Sequence, residues 1–153
     1  MNNITIYEGL PEEQAPLHLL YEADPSRKAV DDYWGRGIKI LAKLESEVIG
    51  VAVLLHTRPF TMELVNIAVV ERLRGEGVGK QLLAYIVALA KSRGMKSLEV
   101  GTGNSSLDQL AFYQHCGFRI TGVDRDFFLK NYPEPITENG IPCLDMIRLQ
   151  KEL

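Results

Sequence analysis

The sequence predicts a mixed α/β domain of about seven strands and four helices. Two observations carry that reading. Apolar and β-branched residues run in strand-like stretches over 38–70 and then switch to a helical period over 78–93. A strand, a helix and a strand follow one another within about 40 residues, the pattern of a right-handed crossover that makes the two strands parallel neighbours.

The elements follow in order. Thr5-Ile6-Tyr7 is a short strand closed by Gly9 and Pro11. Pro11 to about Tyr21 reads as a helix, with Leu17 and Leu20 or Tyr21 on one face, and Asp24-Pro25 ends it. Ser26 is placed to cap a second helix running to about Tyr33, which Gly35 and Gly37 end. Ile38–Leu44 and Val48–Leu55 flank the polar turn Glu45-Ser46-Glu47 and form a hairpin. Thr61 to Val70 is an interior strand. From Val78 to Arg93 the residues Leu82, Leu83, Tyr85, Ile86, Val87 and Leu89 cover most of a helix circumference, which predicts a sandwiched helix. Gly94 sits just past its end. Ser97–Val100 is the next strand. Ser106-x-x-Gln109 is a capping-box pattern opening a helix to about Cys116, closed by Gly117. Phe118 to about Leu129 reads mostly as strand, Asn131–Pro142 as a loop with three prolines, and Cys143–Leu149 as the last strand.

Composition narrows the function. The 153 residues are 46% hydrophobic and 24% charged, which predicts one domain over 1–153. The net charge of −3 argues against nucleic acid as a partner. Cys116 and Cys143 are too few for a disulfide framework or a four-cysteine metal site, and no metal is expected. No apolar run approaches the ~20 residues of a membrane span. Met1-Asn2-Asn3 lacks the basic and apolar leader of an export signal, so the expected location is cytoplasmic.

The most informative stretch is a strand that enters the turn Arg72-Leu73-Arg74-Gly75-Glu76-Gly77-Val78-Gly79-Lys80 and leaves as a helix. Glycines let backbone N–H groups converge, and the helix N-terminus adds partial positive charge. Arg72, Arg74 and Lys80 add full charges, so the expected ligand is a phosphate or pyrophosphate. A P-loop fails because position 74 is Arg and position 81 is Gln, and a dinucleotide fingerprint fails because position 80 is Lys.

The pattern that fits is Arg/Gln-x-x-Gly-x-Gly/Ala, here Arg74-Gly75-Glu76-Gly77-Val78-Gly79. It resembles the acyl-coenzyme-A motif of the GNAT superfamily of N-acetyltransferases. Asn66-Ile67-Ala68-Val69 resembles that fold's fourth strand. Ala111-Phe112-Tyr113-Gln114-His115-Cys116-Gly117-Phe118 resembles its second signature. Gly101 to Asn104 and the tail Tyr132 to Gly140 look like the family's YvbK-like branch. The resemblance implies a mostly antiparallel sheet with a splayed parallel pair, and acetyl-CoA as cosubstrate lying in the V. Ile67, Ala68 and Val69 would hold the pantetheine arm. Arg74, Gly75, Glu76, Gly77, Val78, Gly79 and Lys80 would hold the pyrophosphate. Asn104 would reach the pantetheine end. However, nine positions separate it from Tyr113, where the family has about seven, and Ser106 holds the usual spacing; either residue can carry the role.

The implied reaction is direct attack of an amine on the thioester in a ternary complex. An alkyl amine with a pKa of ~10.4 is only about one part in 10³ neutral at pH 7, so a base is useful. The oxyanion needs N–H donors, for which the strand near Ile67 is the candidate. Tyr113 is, by resemblance, the acid for the thiolate. Glu99 resembles the Glu assigned as base in ribosomal-protein alanine acetyltransferases, with Glu63 or water as alternatives. The acceptor is a small-molecule amine, a peptide N-terminus or a lysine. Glu134, Glu138, Asp124 and Asp126 are expected to draw it as a cation. His18, His56 and His115 read as surface residues, and Trp34 as helix packing or a substrate wall. A homodimer is left open. A catalytically inactive CoA-binding sensor on the same fold is the alternative function.

Overall fold

The computed structural model describes residues 3–153; Met1 and Asn2, which entered the reading of a missing leader, lie outside them. The chain runs β1 (Ile4–Glu8), α1 (Leu17–Ala23), α2 (Arg27–Arg36), β2 (Ile38–Leu44), β3 (Glu47–Arg58), β4 (Thr61–Val69), a 3₁₀ turn (Glu71–Leu73) and α3 (Val78–Ser92). It continues through β5 (Ser97–Gly103), α4 (Leu107–His115), β6 (Arg119–Asp124), α5 (Phe127–Asn131), β7 (Thr137–Glu138), β8 (Ile141–Pro142) and β9 (Met146–Glu152).

Seven strands form one sheet in the order β1-β2-β3-β4-β5-β9-β6. Every pair is antiparallel except β4 and β5, the parallel neighbours that the crossover predicts. Two apolar layers cover its faces. Leu82, Leu83 and Ile86 of α3 pack with Ile40, Leu54, Met62 and Leu98 on one side, and Leu19, Leu20, Val30 and Tyr33 of α1 and α2 pack with Val51 and Val53 on the other.

Two irregularities make the site. Pairing of β4 with β5 stops at Leu64↔Val100, although β4 runs on to Val69 and β5 to Gly103, so the strands part into a V. Val65 is a bulge: Leu64 faces Leu54 and Asn66 faces Val53, leaving it unmatched. Before the bulge Met62 and Leu64 belong to the α3 core. After it Ile67 and Val69 do, and Asn66 turns to the α1–α2 side.

Several boundaries differ from the sequence reading. α1 starts at Leu17 rather than Pro11, because Pro16 lies at its cap and disfavours helix at Ala15. α3 is not sandwiched: Gln81, Ala84 and Ala88 are exposed, and Tyr85, Val87 and Leu89 are half-buried flanks. Phe118–Leu129 is not one strand, because Asp126 adopts φ 61° and opens α5, a fifth helix, while its N–H donates to Asp145 Oδ1 at 2.8 Å. The 131–142 loop contains the β7–β8 hairpin, turned by Asn139 and Gly140 at φ 54° and 72°. The last strand begins at Met146 rather than Cys143, because the N–H groups of Leu144 and Asp145 donate to Asn104 Oδ1 at 2.8 and 3.0 Å.

Candidate active site

Gly75 and Gly77, at φ 81° and 87°, bring the chain from the 3₁₀ turn into α3; a Cβ on either would meet no atom within 4 Å. Among the described residues, the N–H groups of Gly77, Val78, Gly79 and Lys80 donate to no protein acceptor. They are the orphan donors of a helix start, aimed outward with the positive end of the dipole. A groove of about 670 Å³ opens there, lined by Ile67, Ala68 and Val69 of β4, by Arg74, Gly75, Gly77, Val78, Gly79 and Lys80, and by Ser106, Gln109 and Phe112. Arg74 is anchored: its Nε donates to the Val69 carbonyl at 3.2 Å and its Nη2 to Glu22 at 2.7 Å. Glu76 does not line the groove.

Past Leu64 the edge of β4 turned toward β5 has no strand partner among the described residues. Such an edge offers backbone donors and acceptors to an extended ligand. The groove is therefore walled by the free N–H groups of a helix start, which can bind an anion, and by an unpaired strand edge, which can align an extended amide-containing chain.

A second cavity of about 450 Å³ shares Glu22, Ala23, Ile67, Ser106, Gln109 and Glu138 with the first, so the two adjoin. It lies between the diverging strands, the α1–α2 turn and the segment after α5, and Tyr113 is in its wall. Tyr113 is buried by the end of α4. Phe118 N–H donates to the Tyr113 carbonyl at 3.0 Å and Gly117 N–H to the Gln114 carbonyl at 3.0 Å, with Gly117 at φ 92°; this is the Schellman closure that the Tyr…Gly-Phe signature encodes. Among the described residues its hydroxyl has no hydrogen-bond partner, and burial pushes the phenol pKa well above its ordinary value.

The remaining expected site residues fall in different places. Ser106 lines both cavities. It makes no capping box; its hydroxyl donates to Glu138 at 2.8 Å. Asn104 lines neither cavity. It is a clip, with Oδ1 holding two N–H groups of the 144–145 turn and Nδ2 donating to the Pro142 carbonyl at 3.1 Å. Glu99 also lines neither, and is ion-paired with Arg58. It faces Glu63 across the β4–β5 pair, and Glu63 lies 3.6 Å from Arg148. Burial raises the Glu63 pKa, opposed by Arg148 and reinforced by Glu99.

Of the four acids expected at the acceptor, only Glu138 is in a cavity wall. Asp124 is bound by Arg148 at 2.5 Å. Trp34 packs in the α1–α2 core under the Lys39 ammonium and lines neither cavity. Among the described residues no cluster could hold a metal ion, and no helix is long and apolar enough to cross a membrane.

The sequence reading missed Glu22, Asp24 and Tyr132. Asp24-Pro25 announced a turn, but only the folded chain brings Tyr132 to it. Asp24 Oδ1 accepts from Ser26 N–H at 3.0 Å and from the Tyr132 hydroxyl at 2.8 Å, and Oδ2 from the Tyr33 hydroxyl at 3.1 Å.

Comparison with known proteins shows the family and the fold. The model of the acetyltransferase (GNAT) family matches residues 6–118. The uncharacterized N-acetyltransferase YvbK of Bacillus subtilis is 53% identical over all 153 residues and 99% of its own length. An IAA acetyltransferase from Bacillus cereus has 55% identity and a TM-score of 0.94, covering 98% of this chain and 99% of the other. A GNAT family acetyltransferase from Elizabethkingia anophelis, crystallised with acetyl-CoA bound, has 47% identity and a TM-score of 0.96 over 100% of both chains. The chain belongs to the GNAT acetyltransferase family.

Proposed function

We propose that the chain, acting as one domain over 1–153 in the cytoplasm, transfers the acetyl group of acetyl-CoA to an amine by direct attack in a ternary complex. The observation that carries this is that the two cavities adjoin, with Ile67 and Ser106 in the walls of both. The free N–H groups of the helix start face the first, Tyr113 lines the second, and Ile67 on the free edge of β4 lines both.

In this reading the N–H groups of 77–80 bind the pyrophosphate and the edge at Ile67–Val69 aligns the pantetheine arm. Ser106, rather than Asn104, contacts the arm near its thioester, because the Asn104 side chain is committed to the 142–145 turn. A backbone N–H beside Ile67 stabilises the oxyanion. Tyr113 hands its proton to the departing thiolate. Its raised pKa keeps it protonated throughout the neutral range.

Glu99 takes the amine's proton through water. Gly101, two residues on and on the same strand face, is in the cavity wall, so Glu99 lies about 6.6 Å below it. An unchanged pH–rate profile in Glu99→Gln moves that role to Glu63 or to solvent. The activity is tested by CoA release from acetyl-CoA against a panel of small amines, lysine side chains and peptide N-termini. Acetyl-CoA binding with no turnover on any of them overturns the reading in favour of a CoA-binding sensor.

A further inference from the structure

The carboxylates around the second cavity are unevenly balanced. Glu22, Asp24 and Glu138 line it, and among the described residues no Lys or Arg does. Glu22 is neutralised by Arg74 at 2.7 Å. Among the described residues Glu138 accepts only from the Ser106 hydroxyl, at the end shared with the cofactor groove. Among the described residues Asp24 accepts only from neutral donors, yet it is held in one orientation by groups from three parts of the chain.

The clamp on Asp24 is itself supported. Asn66, 4% exposed, donates through Nδ2 to the Tyr33 hydroxyl at 2.8 Å and to the Leu20 carbonyl at 3.0 Å, which leaves the Tyr33 proton for Asp24. Asn66 Oδ1 is buried without a partner beside the same cavity. A side chain kept with an unsatisfied buried oxygen is costly, so a structural reason alone is weak. With Glu138 it leaves two uncompensated carboxylates, at separate places in a cavity with aromatic walls, Tyr113 and Tyr132 among them.

We infer that Asp24 is an acceptor-recognition residue that binds a second ammonium group of the substrate, so that the acceptor is an alkyl diamine or polyamine. The inference rests on the amine acetyltransferase reading above. One nitrogen gives its proton through water to Glu99 and attacks the thioester carbonyl at the Glu138 end. The C–S bond breaks as CoA leaves with the Tyr113 proton, which the new amide nitrogen returns. The other nitrogen stays charged on Asp24, and the methylene stem between them lies against the aromatic rings. A monoamine leaves Asp24 unpaired, and an anionic acceptor meets two carboxylates.

The test compares spermidine with butylamine, wild type with Asp24→Asn and Tyr132→Phe. Wild type is expected to use spermidine at least tenfold better in kcat/KM. Asp24→Asn removes that advantage, mainly through KM and more at low salt, with acetyl-CoA affinity unchanged. Tyr132→Phe keeps the carboxylate and loses one clamp, and raises the spermidine KM severalfold. Equal use of both amines by wild type, or an Asp24→Asn enzyme that still prefers spermidine, overturns the inference while leaving the acetyltransferase intact. If no amine is acetylated, calorimetry of spermidine with CoA-loaded protein decides separately: binding lost in Asp24→Asn upholds the recognition role, and no binding to wild type ends it.

Discussion

The Tyr113 and Phe118 rings meet edge to face at 5.5 Å, and the Phe118 N–H closes on the Tyr113 carbonyl at 3.0 Å. The residue proposed as acid is thus fixed by the C-cap of its own helix. Gly117→Ala forces a side chain into φ 92°, where its Cβ also lies 2.6 Å from Lys151 Nζ, the movable end of a side chain. The left-handed strain alone costs about 1–2 kcal/mol. Melting should fall accordingly, and kcat should fall more than acetyl-CoA affinity. An unchanged melting temperature would contradict the cap.

Tyr113→Phe keeps both edge-to-face contacts, with Phe112 and Phe118, and removes only the hydroxyl. Because that hydroxyl has no partner to strand among the described residues, stability should hold. Turnover should drop by roughly 10²–10⁴ if the phenol is the acid. Turnover within twofold of wild type, measured as CoA release on a true acceptor, would leave Tyr113 a packing residue.

Gly77→Asp places a negative charge at the start of α3, beside four N–H groups that donate to no protein acceptor. Its Cβ meets nothing within 4 Å, so the fold should survive with the strain of one left-handed residue. Acetyl-CoA binding by calorimetry should be lost. Retained affinity would move the pyrophosphate elsewhere.

Asn104→Ala and Ser106→Ala should separate. The first strips the partners from two backbone N–H groups and should lower melting by several degrees, with each stranded donor costing about 1–3 kcal/mol. The second removes one exposed hydrogen bond to Glu138 and should raise the acetyl-CoA KM with little change in melting. The reverse pattern would return the cofactor contact to Asn104.

Glu63 is a carboxyl whose folded pKa is raised by burial. Below the ordinary carboxyl value, about 4.3, it is protonated in both states and contributes no difference. As pH rises through that value to the folded one, the unfolded state ionises first, and stability is lost. Glu63→Gln should therefore melt higher than wild type at neutral pH, with the gap closing toward about pH 4. A gap that does not change with pH would mean that Arg148 fully offsets the burial.

Local sequence carried the cofactor half of this protein. The glycine turn, the strand before it and the Tyr…Gly-Phe helix end are contiguous, and their chemistry is set by backbone conformation over a few residues: positive φ at Gly75, Gly77 and Gly117, and orphan donors at a helix start. Ser26 capping α2 through the Ala29 N–H at 3.2 Å was legible for the same reason. The Asn139-Gly140 hairpin was equally local, a signal present and not used. The acceptor half was not legible. Val65 is a bulge only because β3 has no residue to match it, and that misalignment is what turns Asn66 to Tyr33. Asn104 became a clip because β9 returns beside β5, and Asp24 became a clamped carboxylate because Tyr132, 108 positions away, folds onto it. Cavities and hydrogen bonds between distant segments depend on how strands are registered and where they part, and no window of sequence contains both partners.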